Sequence, residues 1–460
     1  MKNKQAVQSN RLAIVIGASM TGLMMARVLS DHFEQVTIVE RDQLPEQVET
    51  RKGVPQGPHV HLLLAKGVAI LNELFPGLFE VLTQNGALQL TPTDISSCTS
   101  GMWNTRFPSS IQLYSQSRPF LEQSMRNLLT TRSNVRLLEA CEVTQLLATE
   151  DSSRVTGVSL SYRSGEQRKG ELKEELIADL VVDASGRRSR APRWLVSLGY
   201  PQVEETSMKL NVGYATRIYR RSSHHPLDWK VLVIGPIPPN NRRAGTISLI
   251  EGDHWTVSLV SYQCDYLPDE DSFLDYARGL SQPDIYEAIK EAEPLTPVLT
   301  YKYSANRWRH YERMSRFPEG FVILGDAACS FNPVYAQGMT VAALEAKVLD
   351  AHLRQYSQST DKPKNDFAQQ LQRAIAKVVE WPWQMAMGAD LPYLGGQGRQ
   401  AWTMRLIEWY IQRVMQLTTS NPLVAERFYQ VSNLLKPPMV LLDPRLAWAV
   451  LRRELHLGSC

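Results

Sequence analysis

The stretch from Leu12 to Glu40 constrains this chain more than any other. Leu12-Ala-Ile-Val-Ile16 is an unbroken apolar run, the pattern of a central parallel strand buried on both faces. Gly17-Ala-Ser-Met-Thr-Gly22 follows. The small-residue, apolar segment Leu23–Leu29 then reads as a helix, and Val36-Thr-Ile-Val39 as a second buried strand ended by Glu40. This is a βαβ unit with its glycine turn in place. The helix N-terminus offers unpaired N–H groups and a positive dipole end to a pyrophosphate. Glu40 stands 18 residues after Gly22, where a carboxylate can accept hydrogen bonds from an adenosine ribose. Ser19 stands where G-x-G-x-x-G has its second glycine, and serine is small enough for the loop still to approach a phosphate. A turn with no ligand would share the local pattern, but strand, helix, second strand and acid together favour a dinucleotide.

Composition excludes several classes. With 43% hydrophobic and 21% charged residues among 460, and a mean hydropathy of −0.26, the chain is globular rather than disordered. Fifty Lys and Arg against 47 Asp and Glu leave +3, too near neutral for a dedicated nucleic-acid binder. The five cysteines, at 98, 141, 264, 329 and 460, are odd in number and never in a C-x-x-C spacing, which argues against a disulfide framework and a zinc site. His59 and His61 form an H-x-H pair whose spacing would put both on one face of a strand. No acidic or cysteine partner clusters near them, so no metal is expected. Met-Lys-Asn-Lys-Gln leads directly to the first strand without the apolar run of a signal peptide, and no apolar run is long enough to span a bilayer. A cytoplasmic location is the expectation.

Further along, the pattern changes. Residues 84–115 and 208–305 hold short alternating runs. Leu210–Ile218 alternates, and Thr246–Ile250 and Trp255–Val260 flank Glu251-Gly-Asp253 as an antiparallel hairpin. These segments are expected to form one separate sheet. Leu180-Val-Val-Asp183 and Gly320-Phe-Val-Ile-Leu324 return to the buried-strand pattern. Beyond Gly338 the chain reads as helical, with Val341–Leu353 alanine-rich and Trp402–Leu417 carrying an apolar stripe at helical spacing. Such a stripe serves as core, as a lid over an apolar pocket, or as a membrane-surface contact.

Three motifs far apart in sequence read as one site: the Gly17–Gly22 turn, Asp183-Ala-Ser-Gly-Arg-Arg-Ser189 after a buried strand, and Gly325-Asp-Ala-Ala-Cys-Ser-Phe-Asn-Pro333 leading through Val-Tyr-Ala-Gln to Gly338-Met339 at a helix start. In this combination, over roughly residues 10–350, the sequence resembles the group A, aromatic-hydroxylase-type FAD-dependent monooxygenases. Asp183–Gly186 resembles that family's D-G motif, and Gly325-Asp326 with Pro333 its G-D motif. Val39-Glu-Arg-Asp42, Arg51-Lys-Gly-Val-Pro-Gln56, His59-Val-His61, Asn332-Pro-Val-Tyr335 and Lys436-Pro-Pro438 are similar to the bacterial flavin epoxidases of polyether biosynthesis, which epoxidise alkenes of a polyketide chain.

The resemblance implies an α/β fold: a Rossmann-like FAD-binding domain in discontinuous segments (1–83, 116–207 and 306–360), an inserted antiparallel substrate domain (84–115 and 208–305), and a helical C-terminal region (361–460). It implies noncovalent FAD, with NAD(P)H as transient reductant, O2 as co-substrate and a small apolar organic substrate, oxygenated by a flavin C4a-hydroperoxide that needs no catalytic base from the protein. It places Gly17, Ser19, Met20, Thr21, Gly22, Glu40, Arg41, Arg51, Arg118, Val143, Asp183, Gly186, Gly325, Asp326, Pro333, Ala336, Gln337, Gly338 and Met339 at the cofactor. Asp326 would bind the ribityl chain, Arg51 and Arg118 the FAD phosphate and ring, and residues 336–339 the flavin pyrimidine edge. Ala336 departs from the family's glycine. The implied activity is epoxidation or hydroxylation of an alkene-bearing natural-product-type molecule. A halogenase, or an FAD oxidoreductase that inserts no oxygen, is the alternative. Trp381-Pro-Trp383 is only an incomplete halogenase signature, so these tryptophans are expected to pack or line the pocket. The inserted sheet and the helix Trp402–Leu417 are expected to wall that pocket.

Overall fold

The computed structural model describes residues 11–162, 173–221, 228–237, 240–264, 266–358, 366–393 and 402–457. The apolar runs read above become a five-stranded, wholly parallel sheet in the order Phe321–Ile323, Leu180–Asp183, Leu12–Ile16, Gln35–Val39, Val135–Leu138. Helices Met20–Leu29 and Gly338–Gln358 pack together over one face, joined by Phe367–Asp390. Met24, Met25, Leu349 and Ile375 are buried in the core they share. The opposite face buries Ile14, Val181 and Phe321 against Val143, Val158 and Trp194. Sheet residues thus point alternately into two apolar layers, which is why these strands carry no polar alternation.

A second sheet of eight strands runs in the order Cys329–Ser330, Leu299–Arg309, Glu205–Arg220, His254–Tyr262, Arg243–Ile250, Val231–Ile234, Ile95–Thr99, Met102–Trp103. The expected hairpin is present: Thr246 pairs with Ser258 across the Glu251–Asp253 turn. The expectation of one separate sheet needs correction. Leu88–Leu90 and Leu113–Ser115 form their own two-stranded sheet, and Cys141–Ala148, Val155–Tyr162 and Lys173–Ile177 form an unanticipated three-stranded antiparallel one.

The two faces of the long strand Glu205–Arg220 have different partners. Ala215 and Tyr219 pack with Trp255 and Ile247 under the short helices Phe273–Arg278 and Asp284–Ile289. Leu210, Val212 and Tyr214 join Val260, Tyr262 and Tyr303 on the other face, against Val334 and Tyr393. A bulge between Lys209 and Val212, with Asn211 at φ 55°, sets this register.

The helix Trp402–Leu417 forms as expected, but its packing differs. Val414 and Leu417 are buried with Val424, Val431, Leu441 and Val450 of the C-terminal helices, in a cluster of their own. The apolar stripe satisfies a local core; the sheet face is covered instead by Tyr393, whose ring stacks on Tyr262 at 3.9 Å. Among the described residues no helix is long and apolar enough to cross a membrane.

Candidate flavin site

The three motifs converge at the C-terminal ends of the central strands. Gly17 sits at φ 101°, and a Cβ on it would lie 2.8 Å from the Ala184 carbonyl oxygen; this is how closely the first turn approaches the Asp183 turn. Gly22 is more restricted still, since a Cβ there would lie 1.8 Å from the Gly17 carbonyl oxygen. The helix can start at Met20 only because position 22 has no side chain. Thr21 packs on the third turn: a Cβ on Gly325, itself at φ 60°, would meet Thr21 Oγ1 at 2.5 Å.

Glu40 accepts from the Ala18 N–H at 2.8 Å and the Asp42 N–H at 3.0 Å, tying the end of the second strand to the glycine turn. Arg51 lies 3.2 Å from both Glu40 and Asp42 and 2.8 Å from Glu122. Glu122 also pairs with Arg118 at 3.2 Å and accepts from Ser19 Oγ at 2.8 Å, while Arg118 donates to Ser19 Oγ at 2.9 Å. The serine at the second glycine position is therefore the link between the turn and a buried ionic network. Burial alone would lower the Arg51 pKa, but Glu122 and Glu40 outweigh it and raise it. Arg118 is lowered by burial, which Glu122 offsets only in part. Burial works against the Glu122 carboxylate too, yet Arg118 and Arg51 hold it below the usual range. Glu122 lies one turn after Arg118 in the helix Arg118–Thr130 and was not anticipated; its signal was a lone acid at i+4 from a singled-out arginine. Arg41 is half-buried beside Glu40. Val143, in the strand Cys141–Ala148, is buried beneath Ile16 and Val39.

Asp183 turns inward. Its carboxylate accepts from the Ser185 N–H at 2.9 Å and from the hydroxyls of Ser185 and Ser189 at 2.5 Å each. Burial raises its pKa against these bonds. It shapes the turn that places Gly186, at φ 77°, and Arg187. The Arg187 guanidinium lies 4.3 Å from the Tyr303 ring centroid and donates to Ser330 Oγ at 3.2 Å, so the D-G turn reaches across to the tyrosine face.

Asp326 differs from Asp183: among the described residues its half-buried carboxylate makes no hydrogen bond. A Cβ on Gly338 would lie 3.9 Å from Asp326 Oδ1, at the start of the helix Gly338–Gln358. Burial raises the Asp326 pKa, partly countered by Arg187, Arg118 and Arg307. Behind it Glu345, fully buried, accepts from the Gly325 N–H at 2.7 Å, and burial pushes its pKa up to about 8. Gln337 and Met339 are buried at the helix start, and Ala336 adopts a left-handed φ of 54°, the conformation that favours the family's glycine. Pro333 opens a single 3-10 turn capped by Asn332. That loop is bolted down by Asp390, at the end of Phe367–Asp390, which accepts from Asn306 at 2.8 Å, Asn332 at 2.9 Å and Tyr335 at 2.6 Å.

His59 and His61 do not share a strand face, because residues 60–64 carry no regular structure. His59 contacts Thr216 of the sheet, whereas His61 turns back to the His59 carbonyl at 2.8 Å. Of the tryptophan pair, Trp383 packs on Phe331 and Trp308, and Trp381 is 44% exposed, so only the former serves as packing.

Two helix starts, two glycines without room for a side chain, and one unpartnered carboxylate between them suit an extended dinucleotide. The comparisons with known proteins decide which. A family described as FAD binding domain matches residues 12–364. The chain belongs to this family. FAD is the cofactor of this flavoprotein. It is 33% identical to the protein Rv3254 of Mycobacterium tuberculosis over 92% of this chain and 89% of that one. The flavoprotein's fold is also that of the flavin-dependent brominase Bmp2 (TM-score 0.66, 13% identity, 92% of each chain). The p-nitrophenol 4-monooxygenase PnpA of Pseudomonas putida shares it too (TM-score 0.63, 13% identity, 91% of this chain and 97% of that one).

Proposed function

We propose that this flavoprotein is an NAD(P)H-dependent monooxygenase that inserts one atom of O2 into an apolar, alkene-bearing small molecule, by epoxidation or hydroxylation. The observation that carries this reading is the tyrosine face. Tyr214, Tyr301 and Tyr303 lie on one side of the large sheet; burial raises the Tyr301 and Tyr303 pKa values, Arg187 counters the rise, and Asp326 is close enough for its charge to act on both rings. An apolar, aromatic wall thus stands beside the carboxylate assigned to the ribityl chain. Such a wall excludes water, which oxygen transfer requires.

FAD, when bound and reduced, supplies the activation of O2. The protein's own residues do the rest. The Gly17–Gly22 turn and the helix start at Met20 would face the pyrophosphate, with Arg118 held beside them by Ser19 and Glu122. Glu40 would take the ribose. Asp326 would accept from ribityl hydroxyls. The N–H groups and dipole at Gly338 would face the pyrimidine edge of the ring, where negative charge is favoured. The resemblance to polyether epoxidases favours an alkene over an arene as substrate.

The fold is shared with a brominase, so halide chemistry is the second reading. Turnover under labelled O2 with alkene and phenol probes, with and without bromide or chloride, separates the two. The proposal expects one labelled oxygen in the product and no halide requirement. A halogenated product, or NAD(P)H oxidation without labelled oxygen in any product, would count against it.

A further inference from the structure

His59 lies on the tyrosine face with one ring nitrogen unused. It is 7% exposed, its Nδ1 is 2.7 Å from Thr216 Oγ1, and among the described residues its Nε2 has no partner. The protons of its neighbours fix the tautomer. The Val60 N–H donates to Ser258 Oγ at 3.0 Å, and Ser258 Oγ lies 2.6 Å from Thr216 Oγ1. If Ser258 donates to Thr216 and Thr216 donates to His59 Nδ1, both hydroxyl protons have an acceptor and the Nε2–H alone is left unpaired. The reverse order gives Ser258 Oγ two donors and, among the described residues, leaves both its own proton and the Nε2 lone pair unpaired. The relay therefore makes Nδ1 the acceptor and puts the ring proton on Nε2. Burial holds the ring pKa at about 4, so at neutral pH the imidazole is uncharged and this polarity persists.

The unused donor has aromatic neighbours. The His59 ring centroid is 5.7 Å from that of Tyr214 and 5.8 Å from that of Tyr301. Tyr214 cannot serve as acceptor by turning, because its hydroxyl is committed to Asn332 at 2.6 Å. A buried N–H without an acceptor is costly, and an oxygen brought between these rings would relieve it.

We propose that His59 Nε2–H anchors the substrate by donating to a carbonyl or hydroxyl oxygen on its otherwise apolar skeleton. This rests on the reading of the tyrosine face as the substrate pocket, and it deepens that reading: the substrate carries an oxygen acceptor. The hydrogen bond would fix which carbon of the skeleton meets the flavin. A purely hydrocarbon substrate would leave the donor unpaired and bind more weakly.

The test uses the FAD-loaded protein and two probes of similar shape, acetophenone and ethylbenzene, titrated by the change in flavin absorbance. Wild type should bind acetophenone about tenfold more tightly, the factor expected of one buried hydrogen bond. His59→Phe should abolish that preference at unchanged FAD content, and His59→Gln, which restores an N–H donor, should recover part of it. In protein labelled with nitrogen-15 histidine, the His59 ring should be the Nε2–H tautomer, and its Nε2 resonance should move with acetophenone and not with ethylbenzene. The Nδ1–H tautomer would overturn the proposal. So would equal affinities, no binding of acetophenone, or a preference that survives in His59→Phe. Should that variant fail to fold, Thr216→Val removes the hydroxyl that fixes the tautomer and must reduce the preference; an unchanged preference again overturns it. None of these measurements requires oxygen transfer, so their failure leaves the monooxygenase reading standing, and absence of turnover leaves this one standing.

Discussion

Tyr214 donates to Asn332 Oδ1 at 2.6 Å, and this bond ties the large antiparallel sheet to the loop that leads into the Gly338 helix. Asn332 in turn donates to Asp390, so sheet, loop and the helix Phe367–Asp390 meet at one buried amide. Among the described residues, Tyr214→Phe leaves Asn332 Oδ1 with only the 3.3 Å contact from the Val334 N–H. The variant should lose about 1–2 kcal/mol in denaturant unfolding. It should keep its FAD yet release more peroxide per NAD(P)H consumed, because the face that excludes water is less firmly held. Unchanged coupling would show that this face does not enclose the reaction.

Asp326→Ala removes a carboxylate that makes no hydrogen bond among the described residues. FAD affinity should fall by about 1.5–3 kcal/mol, the range for a hydrogen bond to a charged group, which is one to two decades in dissociation constant. The apoprotein should unfold at the same denaturant concentration as wild type. Reduced apoprotein stability with normal FAD affinity would make Asp326 a structural residue.

Much of this was legible in sequence where the requirement is local. The Gly17, Gly186 and Gly325 turns announce themselves because each needs a left-handed or side-chain-free backbone within a few residues. What was illegible depends on contacts distant along the chain. Glu122 meets Ser19 across 103 positions and Asp390 meets Asn332 across 58; the i+4 spacing ties Glu122 to Arg118, but neither long-range contact has a local signature. The H-x-H spacing suggests a shared strand face, but alternation in a loop looks like alternation in a strand. The stripe of Trp402–Leu417 showed that one face is buried, and could not show against what.

Glu345 makes stability depend on pH. Its folded-state pKa is raised from 4.5 to about 8 by burial, so the folded protein holds a proton that the unfolded chain releases. Its contribution is full below about pH 4.5 and is lost as pH rises towards 8. Glu345→Gln keeps an acceptor for the Gly325 N–H and removes the titration. The difference in unfolding free energy between this variant and wild type should therefore widen from pH 5 to pH 8, in favour of the variant. A pH-independent difference would mean that Glu345 is ionised throughout.

Two glycine exchanges should act in opposite directions. Gly22→Ala drives a methyl into the Gly17 carbonyl and should cost roughly 2–4 kcal/mol together with FAD binding. Ala336→Gly relieves about 1–2 kcal/mol of left-handed strain. It gives back about 0.5–1 kcal/mol in unfolded-chain entropy. A small net gain in thermal stability is expected, and a loss would show that the Ala336 methyl makes a contact that outweighs its backbone.

The most direct test of the site as a whole is a crystal structure of the protein with FAD bound. The pyrophosphate should lie over the Gly17–Gly22 turn, the ribityl hydroxyls on Asp326, and the ring between the start of the Gly338 helix and the face formed by His59, Tyr214 and Tyr301. A flavin ring lying away from that face, or a covalent bond from flavin to protein, would contradict the account.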